Sequence, residues 1–187
     1  LEIRLLILEP GQRGAAIRAA INICSLLHPV PFEALSYCWG ENAETNPISI
    51  GNSEFQVREN LETALRYLRL ENEPRTLWID AICINQDDNH ERSSQVQLMR
   101  FVYEKAERVT IWLGPESEDS PEAIQFVKHL VASGLTDAAV INSLRNKEYK
   151  RYWEALASLL KREYWTRIWI LQEIVCAVEA TIYIGQD

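Results

Sequence analysis

A chain of 187 residues, 47% hydrophobic and 25% charged, has ordinary globular usage and is long enough to bury a core as one domain. Its net charge of -8 argues against a nucleic-acid backbone or an anionic membrane as a natural partner. No apolar run approaches the roughly 18 residues of a membrane span, and no signal-peptide pattern opens the chain.

Residues 1–8 form a short apolar run closed by Pro10-Gly11, which predicts an edge strand. Residues 13–30 are ambiguous, since Ala15, Ala16, Ala19 and Ala20 favour helix while Ile21 to Leu26 alternates like a strand. Residues 32–40 predict a buried strand that stops at Gly40. The polar residues 41–46 with Pro47 predict a loop, and residues 48–57 a small hairpin turning at Gly51-Asn52-Ser53.

Asn60 suits the N-cap of a helix with Leu61, Ala64, Leu65 and Leu68 on one face, ending near Glu73-Pro74. Residues 76–84 are almost continuously apolar, as in a strand covered on both faces. Asp87-Asp88 then leads into a helix with Val96, Met99, Tyr103 and Ala106 at core spacing. Residues 109–114 predict another buried strand. Pro121 suits the first turn of a helix reaching about Ser133. Part of 134–150 reads as a lid or loop, and helix signal returns with Trp153, Leu156, Leu159 and Leu160.

Residues 162–177 read as one helix. Leu171, Ile174, Val175 and Val178 make an apolar stripe, with Trp165, Trp169, Glu173 and Cys176 on the opposite side. Residues 181–185 predict the last strand. Buried strands alternating with amphipathic helices imply βαβ units and a mainly parallel sheet. Ligands of such sheets bind beyond the carboxyl ends of the strands, where strand order switches. The segments that emerge there are Tyr37-Cys38-Trp39-Gly40, Asp80 to Gln86, and Gly114-Pro115.

Two readings compete for Glu173: a carboxylate on a solvated face, or one at an aromatic-walled cleft where desolvation raises its pKa. Asp80, inside an apolar run, either caps a loop or pairs with Arg92 or Arg167, or else contacts ligand. Tyr37 and Trp39 pack a core or loop, or bind ligand; Gly40 supplies backbone freedom at a strand exit. Arg167 makes a surface ion pair or holds a phosphate. The cysteines Cys24, Cys38, Cys83 and Cys176 show no CxxC pair and sit among apolar neighbours, which favours buried thiols in a reducing, cytosolic setting. Apolar surroundings also weaken Cys38 or Cys83 as a nucleophile with His90 as base, and no metal-ligand spacing is present.

Several blocks in fixed order resemble the heterokaryon-incompatibility (HET) domain of filamentous fungi. They are residues 34–40 (ALSYCWG), Asn60-Leu61 with Ala64-Leu65, and residues 77–86 (LWIDAICINQ). Others are Glu91-Arg92, Gln95-Val96 with Met99, Ala106 with Val109, residues 111–114 (IWLG), and Arg167 with Trp169 and Gln172-Glu173. The resemblance implies a cytoplasmic cell-death effector of non-self recognition, a single domain over residues 1–187 excised from a larger protein. It further implies self-association, or a sensor or incompatibility partner.

The HET domain in turn is similar to the Toll/interleukin-1 receptor (TIR) domain. That second resemblance implies a TIR-like, flavodoxin-like sheet flanked by helices, with residues 48–57 as a hairpin insertion and extra N-terminal strands. Residues 169–175 (WILQEIV) look like the Trp-x-x-x-Glu segment of TIR enzymes that cleave NAD, which implies Glu173 as the catalytic residue. NAD is then substrate and no cofactor is needed, with Tyr37, Trp39, Gly40, Asp80, Trp169 and Arg167 as candidates to bind it. The hairpin and the length of 115–160 depart from the TIR pattern.

Overall fold

The computed structural model describes residues 1–40 and 44–185. In chain order it forms β1 (Glu2–Leu8), β2 (Arg18–Ser25), β3 (Glu33–Tyr37), β4 (Thr45–Ile50), β5 (Ser53–Arg58), α1 (Glu59–Leu68), β6 (Arg75–Trp78), α2 (Asp80–Cys83), α3 (Asn89–Lys105) and β7 (Arg108–Trp112). These are followed by α4 (Ser120–Ala132), α5 (Asp137–Arg145), α6 (Lys150–Leu160), α7 (Ile170–Val175) and β8 (Ala180–Tyr183). The chain divides into two compact units, one of residues 1–114 with 167–187 and one of residues 115–166.

The first unit carries, among the described residues, an eight-stranded sheet in the order β5-β4-β2-β1-β6-β3-β7-β8. It is a mixed α/β architecture. β6, β3, β7 and β8 run parallel, with Ala34 opposite both Trp78 and Val109. β1 is antiparallel to both its neighbours, and β4 with β5 forms the expected hairpin across Gly51-Asn52. β3 comes before both β6 and β7 in sequence yet lies between them, so strand order reverses at β3. Around it Ala34, Leu35, Tyr37, Leu77, Trp78, Val109, Ile111 and Trp112 are all buried.

Five local expectations are corrected. β1 is an interior strand, because Ile3, Leu5, Leu6 and Leu8 are buried between neighbours, whereas an edge needs one side open. The 76–84 run is strand only as far as Trp78 and then coils into α2, two states that periodicity alone does not separate in a short apolar run. Asn60 is not an N-cap. α1 follows β5 directly with Arg58 in the capping position, and the Asn60 amide is used elsewhere. Of the 41–47 loop, residues 41–43 lie outside the described residues, while Thr45, Asn46 and Pro47 belong to β4. Pro47 sits where β4 has only β5 beside it, so its missing N–H is tolerated.

The fifth correction concerns residues 162–177, which are not one helix. A 3-10 turn over Glu163–Thr166 is separated from the six-residue α7, a break that suits a run rich in aromatic and β-branched residues. Of the two readings of Glu173 the structure has the cleft one, and the apolar stripe faces outward. Glu173 is 1% exposed, while Leu171 is 67%, Val175 80% and Val178 77% exposed.

The second unit is helical. Pro121 lies in the first turn of α4 as expected, and 134–150 holds α5 and a 3-10 turn over Lys147–Tyr149, with residues 134–136 outside them. Phe126 of α4 is its buried centre, ringed by Tyr149, Tyr152 and Trp153 at 4.9–5.8 Å between ring centroids. Trp165 belongs to this unit, against Tyr164 and with its indole donating to the Leu159 carbonyl.

Candidate functional site

β3 places a serine where an apolar strand would carry another aliphatic side chain. Ser36 is buried, and its hydroxyl donates to the Glu173 carboxylate. Arg167 completes the arrangement with a fork, Nη2 at 3.0 Å from Oε1 and Nη1 at 3.3 Å from Oε2. Burial alone pulls the Arg167 guanidinium down, but the adjacent Glu173 charge outweighs it and holds Arg167 above its usual value. A buried carboxylate with a bidentate guanidinium and a hydroxyl donor is fixed in direction.

Asp80, at the start of α2 just beyond β6, is the second acid. Its Oδ2 accepts the Trp39 indole N–H at 3.0 Å, and Oδ1 accepts the Ala81 N–H at 2.7 Å. Burial pushes Asp80 up to about 6, against these two hydrogen bonds. Glu173 adds to the rise and Arg167 opposes it. Its expected pairing with Arg92 or Arg167 is absent: among the described residues Asp80 is in no ion pair, and its partners are the indole and a backbone amide.

The β3 exit is pinned from α1. Asn60 donates to the Cys38 carbonyl at 2.6 Å and accepts the Trp112 indole N–H at 3.0 Å, which ties the end of β3 to the end of β7. Arg58 donates to the Gly40 carbonyl at 2.6 Å, its guanidinium carbon 5.7 Å from the Trp39 ring centroid. Gly40 has φ +76°, a left-handed conformation that a Cβ would strain, so the turn behind Trp39 requires glycine.

At the carboxyl ends of β3 and β6 lies a cleft of about 320 Å³. Trp39 and Trp169 wall it, Asp80, Glu173 and Arg167 supply charge, and Ile84, Val96 and Met99 supply apolar surface, with Gln86 and Arg92 completing the lining. Of the residues expected to form the site, Glu173, Trp39, Asp80, Trp169 and Arg167 thus converge. Tyr37 and Gly40 do not line the cleft: Tyr37 is buried behind it, its phenol raised well above its usual value by burial and then by Asp80, and Gly40 acts through the backbone. The Cys83 thiol is pushed up to about 12 by burial, so it is inert as a nucleophile.

The heterokaryon incompatibility protein (HET) family model matches residues 32–173 of the chain. The chain belongs to the HET family. It is 41% identical over 132 residues to "Heterokaryon incompatibility protein 6, OR allele" of Neurospora crassa. That alignment covers 63% of this chain and 19% of the relative, so the chain spans a small part of that protein's length. No solved structure matches. The HET match begins at the residue before β3 and ends on Glu173, so it includes both acids of the cleft and crosses both compact units.

Sequence reasoning missed Ser36 and the pinning role of Asn60 in this HET domain. A polar residue inside the apolar β3 run was the signal for Ser36, since a buried hydroxyl needs a partner. Among the described residues no helix is long and apolar enough to cross a membrane, and no cluster of His, Cys, Asp and Glu could hold a metal ion.

Proposed function

We propose that this HET domain is a cell-death effector of fungal heterokaryon incompatibility and acts as a TIR-like NAD glycohydrolase with Glu173 as its catalytic carboxylate. One observation carries the reading. Glu173 is a buried carboxylate fixed by Ser36 and Arg167 at a tryptophan-walled cleft, at the point where strand order reverses. The parallel half of the sheet, β6-β3-β7-β8, follows the 2-1-3-4 order of a flavodoxin-like fold, which supports the TIR comparison.

The chemistry asks little of the protein. Nicotinamide is a cation on the ribose and leaves neutral, so no general acid must protonate it, and one carboxylate suffices where O-glycosides usually need two. The bond between ribose C1′ and the nicotinamide nitrogen breaks with its electron pair leaving on nitrogen. Glu173 stabilises the oxocarbenium charge that develops and orients the ribose hydroxyls. Water then adds to C1′ and loses its proton to solvent, giving ADP-ribose. Trp39 and Trp169 offer faces for stacking a ring, worth about 0.5–1.5 kcal/mol beyond area burial.

The test is nicotinamide release from NAD by the purified domain. Release that stops in Glu173→Gln, with the fold retained, is expected. A second reading, a non-enzymatic module that triggers death by association with itself or a partner, is favoured by the exposed Ile168, Leu171, Val175 and Val178. A Glu173→Ala variant that kills cells as well as the wild type selects that reading and removes the first.

A further inference from the structure

The cleft holds a cation whose charge the fold does not use. Arg167 is committed to Glu173, and Arg58 lies outside the lining. Arg92, in the first turns of α3, lines the cleft and is exposed. Its described contact is a hydrogen bond from Nη2 to the side-chain oxygen of Asn89 at 2.8 Å, and among the described residues it is in no ion pair. Arg92, Val96 and Met99 fall at i, i+4 and i+7, one line along α3. That line runs from an exposed guanidinium at the mouth to the buried Met99. Along α3 the lining therefore passes from an exposed cation to buried apolar surface.

Charge balance gives this grading a purpose. Asp80 and Glu173 are both acids and the ion pair of Arg167 is with Glu173, in a chain of net charge -8. A ligand carrying phosphates meets repulsion at such a cleft unless a cation stands at its mouth. Resting on the reading of the cleft as a dinucleotide site, we propose that Arg92 is its phosphate-binding residue, holding the pyrophosphate at the entrance while the ribose reaches Glu173. A guanidinium supplies the planar fork that phosphate oxygens accept, and with only a neutral amide oxygen to give up it binds them without breaking an ion pair.

The experiment titrates ADP-ribose into wild-type protein, Arg92→Gln, Arg92→Lys and the exposed control Arg18→Gln, at several salt concentrations. Arg92→Gln is expected to weaken binding about ten- to a hundredfold and to flatten the salt dependence. Arg92→Lys retains part of the affinity, and Arg18→Gln stays within twofold of wild type. With NAD as substrate, Arg92→Gln raises KM by a similar factor and leaves kcat within twofold. Binding of ADP-ribose by Arg92→Gln within twofold of wild type overturns the assignment, as does wild-type protein that does not bind it. If binding depends on Arg92 but NAD releases no nicotinamide, the glycohydrolase reading fails and the phosphate site stands. If nicotinamide is released with KM unchanged in Arg92→Gln, the phosphate site fails and the glycohydrolase reading stands.

Discussion

Ser36 on β3 donates its hydroxyl to the carboxylate of Glu173 on α7, a buried contact between residues 137 positions apart in sequence. It fastens the short α7 to the strand at which sheet order reverses. Replacing Ser36 by Ala leaves the buried Glu173 carboxylate one donor short. The expected cost is about 1–3 kcal/mol of folding stability, measured by urea denaturation. The same substitution lowers kcat for NAD cleavage by loosening the carboxylate's direction. An Ala variant with unchanged stability and turnover would show that Arg167 alone positions Glu173.

Arg167 is a more demanding test of the same carboxylate. Removing the guanidinium leaves a carboxylate that is 1% exposed without its ion-pair partner, and breaking a buried pair from one side costs about 3–5 kcal/mol. Arg167→Met is therefore expected to be among the most destabilising single changes in the first unit. Arg167→Met combined with Glu173→Gln, which removes the charge as well, recovers most of that loss. The double-mutant cycle read by chemical denaturation checks this, and additive losses would contradict the pairing.

Asp80 gives the cleft a pH dependence of definite sign. Its folded-state pKa of about 6 lies above the ordinary aspartate value of 3.8. Between these values the folded protein holds a proton that the unfolded chain has released. The stabilising effect is thus fully present below about pH 4 and is lost as pH rises through about 6. The size is at most about 3 kcal/mol, and less to the extent that cleft water reaches the carboxylate. Glu33 works the other way. Its burial raises it, but Arg75 and Thr110 overcome that and hold it below its usual value, so its stabilisation is lost as pH falls below the carboxylate range. Stability curves from pH 4 to 7 for wild type and Asp80→Asn are expected to differ in slope, the wild type losing stability relative to the variant as pH rises across the window. Trp39→Phe removes an indole donor to ionised Asp80 and moves the decline to higher pH.

Much of this was legible in the chain. The parallel strands were readable because continuous apolar runs ending in Trp39-Gly40 and Leu113-Gly114 mark buried strands and their exits. Trp39 and Asp80 followed from placing those exits at one end of the sheet, whereas Arg167, Trp169 and Glu173 came from the resemblance to the HET and TIR domains. What periodicity did not contain was tertiary choice. The Thr76 to Ile84 run had no internal sign of its change from strand to helix after Trp78, and β1 was misjudged because its burial depends on two distant neighbours. α7 shows the limit most plainly. A stripe at helical spacing gives a direction but not which side is inside, and here the acid took the inside because Ser36 and Arg167 were there to meet it.

The inverted α7 makes the last prediction. If Leu171, Val175 and Val178 were the buried stripe that their spacing suggests, replacing any of them by Ser would open a cavity and expose a core. In the structure each is more than two-thirds in solvent or close to it, and Ile170 is the buried aliphatic residue of the helix. Serine at 171, 175 or 178 is therefore expected to change stability by no more than about 0.5 kcal/mol. Ile170→Ala, on the same helix, costs about 2–5 kcal/mol. Urea denaturation of the four variants decides the orientation without reference to activity. A loss at Val175 as large as the one at Ile170 would mean that this face is covered in solution, and would also withdraw the exposed patch on which the adaptor reading depends.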